Sequence, residues 1–383
     1  MLCKKQKQMA VILSGPPSLS LSASIPPFVI QATSETVVQL YKNGDILLNE
    51  KYYPDQSGTF VIDLRFIVDA VLSLNIPTAN VFLQTEAFAE FKLIAGSTSQ
   101  TFTVVKSGID EKYFQYALGF LKQNFLTNQP RTMWVKYDDP QYLTYYTTEL
   151  SKLMVLFHYD GNTQEVEIAS MPSGSIYTVN VTFSYVRKKI VPVSLRPTHF
   201  DVYIKGQYNN YLSKKQRYIL TDDYDEFDDL FLFENSKGGF DTIRFCGTLE
   251  SKDDHKTEIA EFTDQSREFD FEFSRIYTKY SGKLDSELLR VWASEFLTST
   301  NRYHYFGKKY KRIIVQKFDS KAIKGELNDF SFDFFYSDVA KYTPVQADTD
   351  LLEPETLVPA PVYNPLTTAG IGSMQIGSTF KVH

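Results

Sequence analysis

The sequence predicts a mainly β (β-rich α+β) fold of tandem antiparallel β-sandwich-like modules, with one helix in each of the second and third modules. Phenylalanine alternates with charged or polar residues over 268–273 and again over 329–334, the period-two pattern of a strand with one buried and one solvated face. Asn43-Gly44 and Asp160-Gly161 each separate two apolar runs, as the turn of a tight hairpin does. Aromatic residues make up 15% of the chain, enough to fill several β cores.

Composition divides the 383 residues into five segments. They are a flexible N-terminal arm (1–18), a β-sandwich-like module (19–105), a helix-plus-β module (106–190), a larger β module with one helix (191–343) and a Pro- and Gly-rich C-terminal arm (344–383). The C-terminal arm lacks the apolar density of a core, so we expect it to order only on a partner.

The first module is expected to be built largely of strands. Its apolar pattern predicts strands over 36–41, 46–48 and 59–62, a short helix over 64–74, and strands over 81–83 and 91–94. Asn-Gly supplies the positive φ angles of a type I′ turn, so the first two strands should form a hairpin around Asn43-Gly44. Pro77 is expected to end the helix.

The second module opens with a helix and continues in strands. The pattern predicts a helix over 111–126, a hairpin of strands 153–158 and 163–169, and a strand over 179–185. Asp110-Glu111 at the start of the helix suits the positive end of its dipole. The segment Arg187–Pro192 begins with charged residues and ends in proline, so we expect it to be a linker.

The third module has the clearest alternation in the chain. Its predicted elements are a hairpin of strands 230–234 and 240–249, the two phenylalanine-rich strands, and a helix over 284–298. Leu288, Val291, Trp292 and Phe296 fall on a common side of that helix and are expected to face the core.

Charge and hydropathy exclude two kinds of partner. The net charge is −6 and the densest basic runs, 187–189 and 308–312, are short, so the clustered positive charge of a nucleic-acid surface is missing. No apolar run approaches the roughly 20 residues of a membrane span. The apolar stretch Met9–Leu13 is too short for a secretory signal, so we expect assembly in a bacterial cytoplasm without signal-peptide secretion.

The sequence predicts no catalytic, cofactor-binding or metal-binding residue and no cofactor. The histidines, which show no zinc-ligand spacing, are His158, His199, His255, His304 and His383. The acidic run 222–229 departs from a calcium loop because Asp228 stands where glycine is required, and it is expected to be a solvated loop. The basic run Lys308–Arg312 is expected to be the solvated end of a strand. Glycoside hydrolysis stays open, because it needs only two carboxylates at a suitable separation.

Tyrosine clusters leave two interpretations open. Tyr142–Tyr146 and Tyr303–Tyr305 either stack on sugar rings or anchor protein interfaces at the surface, or they pack inside. The phenylalanines that alternate with charges are expected in the core.

Two segments resemble a known group of proteins. The run Asp229–Phe245 with the upstream Tyr218–Leu220 resembles a segment of structural proteins of phages and prophages of Bacteroides-type gut anaerobes. Tyr52–Asp55 and Ile62–Arg65 are similar to the first part of such proteins, and the resemblance extends over most of 19–343. It implies a tail or other virion component of tandem β modules, and it brings no catalytic motif.

The leading hypothesis is therefore a non-enzymatic structural or adaptor component of a phage or prophage particle, of tail or baseplate type. Its expected partners are other virion or tail subunits, including copies of itself in a homo-oligomer, and its expected location is the virion. The alternative is a carbohydrate-binding surface protein whose partner is a surface glycan. A glycoside hydrolase is the third hypothesis, and it requires a cleft with two carboxylates of separated pKa.

Overall fold

A computed structural model describes residues 10–109, 117–190, 196–223, 227–261, 266–284, 286–320 and 329–337. Strands dominate these residues and assemble into five sheets, which confirms the predicted β-rich fold class. All of them belong to one compact unit, Met1–Val339. No helix among them is long and apolar enough to cross a membrane. The predicted C-terminal arm and residues 1–9 of the predicted N-terminal arm lie outside the described residues. Val11–Ser14, expected in the flexible N-terminal arm, form a paired strand instead.

Two sheets facing each other form the first sandwich. Its elements are β1 (Val11–Ser14), β2 (Leu19–Leu21), β3 (Phe28–Gln31), β4 (Thr36–Lys42), β5 (Asp45–Tyr52), β6 (Thr59–Ile62), α1 (Arg65–Ala70), β7 (Val81–Leu83), β8 (Phe88–Ala95) and β9 (Thr98–Val105). One sheet has the order β1-β3-β6 and the other β2-β9-β8-β4-β5. Phe28 and Ile30 from the first sheet pack with Phe91 and Phe102 from the second in a fully buried core.

The predicted hairpin at Asn43-Gly44 is confirmed. β4 and β5 pair antiparallel on either side of it, and φ is +51° at Asn43 and +100° at Gly44, the two positive angles that a type I′ turn requires. A Cβ atom at Gly44 would contact nothing within 4 Å, so only the backbone angle selects glycine there.

Gly44→Val is therefore expected to destabilise the protein by about 1–2 kcal/mol, because a β-branched residue is strained at positive φ. A thermal melt measures the effect. Gly119→Val is the control, since Gly119 also has open space for a Cβ but lies in a helix at an ordinary φ. Equal melting temperatures of the two variants would contradict the strain argument.

The middle of the chain forms two further sheets. Its elements are α2 (Ala117–Gln123), β10 (Thr132–Val135), β11 (Tyr142–Tyr146), β12 (Ser151–Tyr159), β13 (Asn162–Met171), β14 (Ile176–Asn180), α3 (Phe183–Val186), β15 (His199–Gly206) and β16 (Gln216–Leu220). The sheet orders are β10-β16-β15-β12-β13 and β11-β14-β7. β7 therefore leaves the first sandwich to pair with β14.

Strand pairing differs from the predicted boundary at residue 190. β15 pairs with β12 over eight residues, and β16 pairs with both β15 and β10, so 199–220 belong to the sheet of the second segment rather than to the third. The predicted strand over 179–185 is also wrong beyond Asn180. There the chain turns into α3, because Phe183 and Val186, three residues apart, are both buried against the core.

The last sheet has seven strands and curls on itself. Its elements are β17 (Asp229–Glu234), β18 (Phe240–Phe245), β19 (Leu249–Glu261), β20 (Ser266–Tyr280), α4 (Glu287–Thr298), β21 (Arg302–Phe306), β22 (Lys309–Ser320) and β23 (Phe330–Tyr336), with strand order β18-β17-β21-β22-β23-β20-β19. Cys246 N donates to the Ser281 carbonyl (3.2 Å) and Tyr280 N to that of Thr248 (3.0 Å). These bonds connect the segment after β18 with the end of β20, near the opposite edge of the sheet.

Helix α4 confirms the helix predicted over 284–298 to within a few residues. Ser286 caps it by accepting a hydrogen bond from Leu289 N (3.2 Å), and Trp292 and Phe296 pack on Phe231, Phe233 and other rings of the sheet. Leu288 and Val291, expected on the buried side, are exposed instead. Of the helix predicted over 111–126, the described part is helical only over Ala117–Gln123.

Candidate functional site

A polar cleft of about 280 Å³ lies between the first sandwich and the seven-stranded sheet. The segment after β9 lines one side, and the turn between β17 and β18 and the end of α4 line the other. The charged residues that line it are Asp69, Lys106, Glu234 and Glu295. A concave site with convergent charged groups is where ligand binding or catalysis is first sought.

Lys106 lies between two carboxylates of this cleft. Its Nζ is 3.7 Å from Asp69 Oδ2 and 3.8 Å from Glu234 Oε1. Ser22 Oγ donates to Asp69 Oδ1 (2.6 Å), and Asn301 Nδ2 donates to Glu234 Oε2 (2.7 Å). Each carboxylate is thus oriented by a donor from its own side of the cleft, and the ammonium links the two sides.

Burial raises the pKa of Glu234, against the opposing effects of the Asn301 hydrogen bond and of Lys106. A carboxyl of raised pKa in a cleft is what a general acid requires. The third carboxylate, Glu295, accepts from Asn128 Nδ2 (2.5 Å) and Ser236 N (2.7 Å), and both donors belong to the protein. The carboxylates are therefore held in intramolecular contacts, an arrangement typical of a structural joint.

The backbone of the cleft fixes the same joint. Gly108 N donates to the Ser236 carbonyl (2.7 Å). Gly238 has a φ of +85°, and a Cβ there would lie 1.7 Å from the Lys106 carbonyl oxygen, so no residue with a side chain fits. The first sandwich and the β17–β18 turn are in direct backbone contact as a result.

Asp241 is a second polar centre, fully buried behind the cleft. Its carboxylate accepts from Thr127 Oγ1 (2.6 Å), Asn128 N (3.2 Å), Asn235 Nδ2 (2.9 Å) and Trp292 Nε1 (2.9 Å). Burial raises the pKa of Asp241 to about 6, although the donors from Thr127, Trp292 and Asn235 lower it. The donors come from the segment after α2, the β17–β18 turn and α4, so one side chain connects three elements.

The histidines, which show no zinc-ligand spacing in the sequence, contact carboxylates, a hydroxyl and one another in the structure. His158 Nε2 lies 3.1 Å from Asp201 Oδ2, and its ring stacks on that of His199 at 4.1 Å between centroids. His304 lies between Asp229 Oδ1 (3.1 Å) and the Tyr336 hydroxyl (2.7 Å). In the part of the chain that the structure describes, no three His, Cys, Asp or Glu residues lie close enough to hold a metal ion. The His255 side chain and His383 lie outside the described residues.

The stacked pair predicts a pH dependence of stability. Burial, together with His158 and Arg217, lowers the pKa of His199, while Asp201 raises it. Because the unfolded chain then binds a proton more readily than the folded one, stability falls as pH falls through the ordinary histidine value near about 6.5. His199→Gln should flatten this loss, measured by urea unfolding at about pH 7.5 and about pH 5.5. An equally steep loss in the variant would contradict it.

The charged runs of the sequence form ion pairs and turns. Lys308 lies at φ +61° in the turn between β21 and β22, and Lys311 Nζ lies 5.2 Å from the centroid of the Phe306 ring. The basic run therefore forms a solvated turn and the start of β22. In the acidic run, Asp228 pairs with Lys136, and Asp229 pairs with Lys279 and His304. Residues 224–226 of that run lie outside the described residues.

The tyrosine clusters singled out in the sequence pack inside. Tyr142, Tyr145 and Tyr146 are buried, and Tyr303 and Tyr305 are half-buried, so none of them offers an open ring face. The exposed tyrosines are elsewhere, and Tyr208 at 82% and Tyr211 at 60% are two of them. The signal for these two was present in Gly206–Tyr211, where they flank two turn-forming asparagines after a glycine.

One sheet exposes apolar side chains on its outer face. Along β3 and β6, Phe28, Ile30 and their partners point into the core, while Val29 and Val61 pair opposite each other on the outside. Val11 is 43%, Leu13 54% and Val61 59% exposed. These residues with the half-buried Val29 are called the β1–β3–β6 face below. Ser14, Gln31 and Thr59 share this face by register, so its apolar side chains form a patch among polar neighbours.

Comparison with known proteins gives no family. No family model and no curated protein matches the sequence. Among solved structures, the plexin A4 full extracellular region is similar over 56% of this chain and 21% of its own, with 10% identity and a TM-score of 0.18. A chimeric titin Z1Z2–Z1Z2 tandem is similar over 55% of this chain and 98% of its own, with 11% identity and a TM-score of 0.14. TM-scores this low carry no argument about function.

Proposed function

We propose that the chain is a non-enzymatic structural or adaptor subunit of a phage-like particle, of tail or baseplate type, that assembles with copies of itself in the virion. The β1–β3–β6 face is the observation that carries the proposal. The polar cleft supports it, because the close contact at Gly238 and the carboxylates around Lys106 hold the sandwich and the seven-stranded sheet together. A neighbouring subunit can therefore bind to them as one unit.

A second copy of the chain is the proposed occupant of this face. Its apolar side chains are three valines and one leucine, and they lie on a three-stranded sheet whose outer strands, β1 and β6, each pair on one side only among the described residues. Flat apolar sheet faces with open edges associate readily with one another. The same face on two copies can meet around a two-fold axis, the commonest symmetry of homo-oligomers.

Val61→Glu is expected to convert the oligomer into monomers, because it places a charge among the apolar side chains of the face. Sedimentation velocity measures the change. Val37→Glu is the control: Val37 is 42% exposed on β4, in the other sheet of the same sandwich, and bears the same substitution without touching the face. A monomeric wild-type protein, or a Val61→Glu variant that still assembles, would show that the face is not an interface.

The particle itself is tested separately. Mass spectrometry of gradient-purified particles from cells that carry the gene should identify the protein in stoichiometric amounts with the other particle proteins. Its absence from such particles would refute the virion assignment, whatever the oligomeric state.

A further inference from the structure

The loop between β15 and β16 presents two exposed tyrosines that lie outside the proposed assembly face. Tyr208, the most exposed tyrosine of the described chain, stands at its tip, with Tyr211 beside it. Three backbone bonds hold the loop: Asn209 N donates to the Gly206 carbonyl (3.0 Å), Gly206 N to that of Asn210 (2.9 Å), and Leu212 N to that of Ile204 (2.9 Å). The aromatic side chains are therefore presented on a fixed backbone rather than on an open segment.

Tyr211 is also held through its ring. It packs against the Tyr203 ring at 5.2 Å between centroids and 44° between planes. Tyr203 is fully buried and its hydroxyl donates to Glu165. A ring fixed in this way loses little conformational entropy when a ligand covers it, which is the advantage that rigid tyrosines give to binding surfaces.

The polar side chains of Glu149 and Asn210 lie at the base of the loop. A Cβ at Gly206 would be 2.1 Å from Glu149 Oε1 and 2.7 Å from Asn210 Oδ1, so the two acceptors converge on the same point. Glu149 Oε1 is buried, and within the described chain it has no hydrogen-bond partner. The exposed amide of Asn210 can both donate hydrogen bonds to and accept them from the hydroxyls of a ligand, next to the Glu149 carboxylate.

Two lysines complete the surroundings. Lys205 Nζ and Lys215 Nζ lie 5.6 and 5.7 Å from the centroid of the Tyr211 ring. Lys205 is neutralised by Glu165, its Nζ lying 2.7 Å from Oε1, whereas Lys215 is exposed. Cations over the ring make its edge and hydroxyl more polar, and Lys215 is available to an acidic group of a ligand.

We propose that the loop Gly206–Leu212 is a binding site for a polysaccharide. Sugar rings combine an apolar C–H face, which suits Tyr208 and Tyr211, with hydroxyl donors, which suit Glu149 and Asn210. An apolar protein partner would leave those acceptors unpaired, and a nucleic acid would meet the carboxylates of Glu149 and Glu165. Lys215 allows an acidic sugar as well as a neutral one.

Affinity electrophoresis through gels that contain dextran, a neutral polymer, or alginate, a uronic-acid polymer, tests the site, backed by a printed array of bacterial capsular polysaccharides. The wild-type protein should be retarded by, or bound to, at least one of them. Tyr208→Ala and Tyr211→Ala should each weaken this binding at least about tenfold. Tyr53→Ala is the control, since Tyr53 is 68% exposed on the first sandwich, far from the loop in sequence.

Lys215→Met distinguishes the two kinds of sugar: it should weaken retardation by alginate and leave retardation by dextran unchanged. No binding to any polysaccharide, or unchanged binding by Tyr208→Ala, would overturn the proposal. Because Val61 and the loop lie on different sheets, failure here leaves the assembly result intact, and the reverse also holds.

Discussion

Asp241→Ala is expected to destabilise the folded protein by at least about 3 kcal/mol, because each buried donor left without an acceptor costs about 1–3 kcal/mol. Five donors lose their acceptor at once, among them Trp292 Nε1 and Asn235 Nδ2, and Asp241 is wholly inaccessible to solvent. Alanine also leaves a void at the point where α4 meets the β17–β18 turn. The loss should therefore exceed that of any single surface contact.

Chemical denaturation by urea measures the loss. Asp333→Ala is the matched control on the same sheet: Asp333 is half-buried and accepts one bond, from Thr278 Oγ1 (2.7 Å), so its removal should cost about 1 kcal/mol. Asp241→Asn keeps the size of the side chain but turns one acceptor into a donor. Its loss of stability should lie between those of Asp241→Ala and Asp333→Ala. Equal losses in Asp241→Ala and Asp333→Ala would show that the Asp241 network contributes nothing beyond one bond.

This network marks the limit of what the sequence predicts. In the sequence, Asp241 is one polar residue in the strand Phe240–Phe245, where alternation would assign it to solvent. The residues that donate to it include Thr127 and Trp292, 114 and 51 positions away. No local pattern contains that information, whereas the alternation of β23 and the turn at Asn43-Gly44 depend on neighbours and were predicted.

The strand pairing across residue 190 could not be predicted from the sequence for the same reason. The run Arg187–Lys189 and the following proline have the composition of a linker, but sheet membership depends on which strands pair. Val202 and Ile204 of β15 pair with Val155 and Leu153 of β12 across some fifty residues of sequence. Clustering of tyrosines in the sequence does not identify the exposed Tyr208, because burial in the fold decides which tyrosine rings are available.

Lys279→Met is expected to destabilise the protein by about 3–5 kcal/mol, the range for breaking a buried ion pair by removal of one partner. Lys279 is fully buried, and its three ammonium donors have three acceptors: Asp229 Oδ2 (2.5 Å) and the carbonyls of Phe227 (2.6 Å) and Gly247 (2.6 Å). Methionine keeps the length of the side chain and loses all three bonds. The acceptors come from the start of β17 and from the segment after β18, so the bonds tie β20 to the open end of the β17–β18 hairpin.

Burial alone would raise the pKa of Asp229, but hydrogen bonds from His304 and Lys279 outweigh it and hold that pKa below the ordinary value. A carboxylate with a lowered folded-state pKa stabilises the protein above the ordinary aspartate value and loses that contribution as pH falls. In the Lys279→Met variant the pKa of Asp229 should lie closer to its ordinary value, so stability should depend less steeply on pH in the acid range. The double variant Lys279→Met/Asp229→Asn should recover part of the loss, because it no longer leaves a charged carboxylate at position 229 without its ammonium partner.

Lys317→Met is the control for Lys279→Met, since Lys317 is exposed on β22 of the same sheet and its replacement should change stability by less than about 0.5 kcal/mol. Urea unfolding of the single and double variants at neutral pH separates the contributions. If Lys279→Met were as stable as Lys317→Met, the ammonium would not be what ties β20 to the β17–β18 hairpin. The two backbone bonds, Cys246 N to Ser281 and Tyr280 N to Thr248, would then carry the closure by themselves.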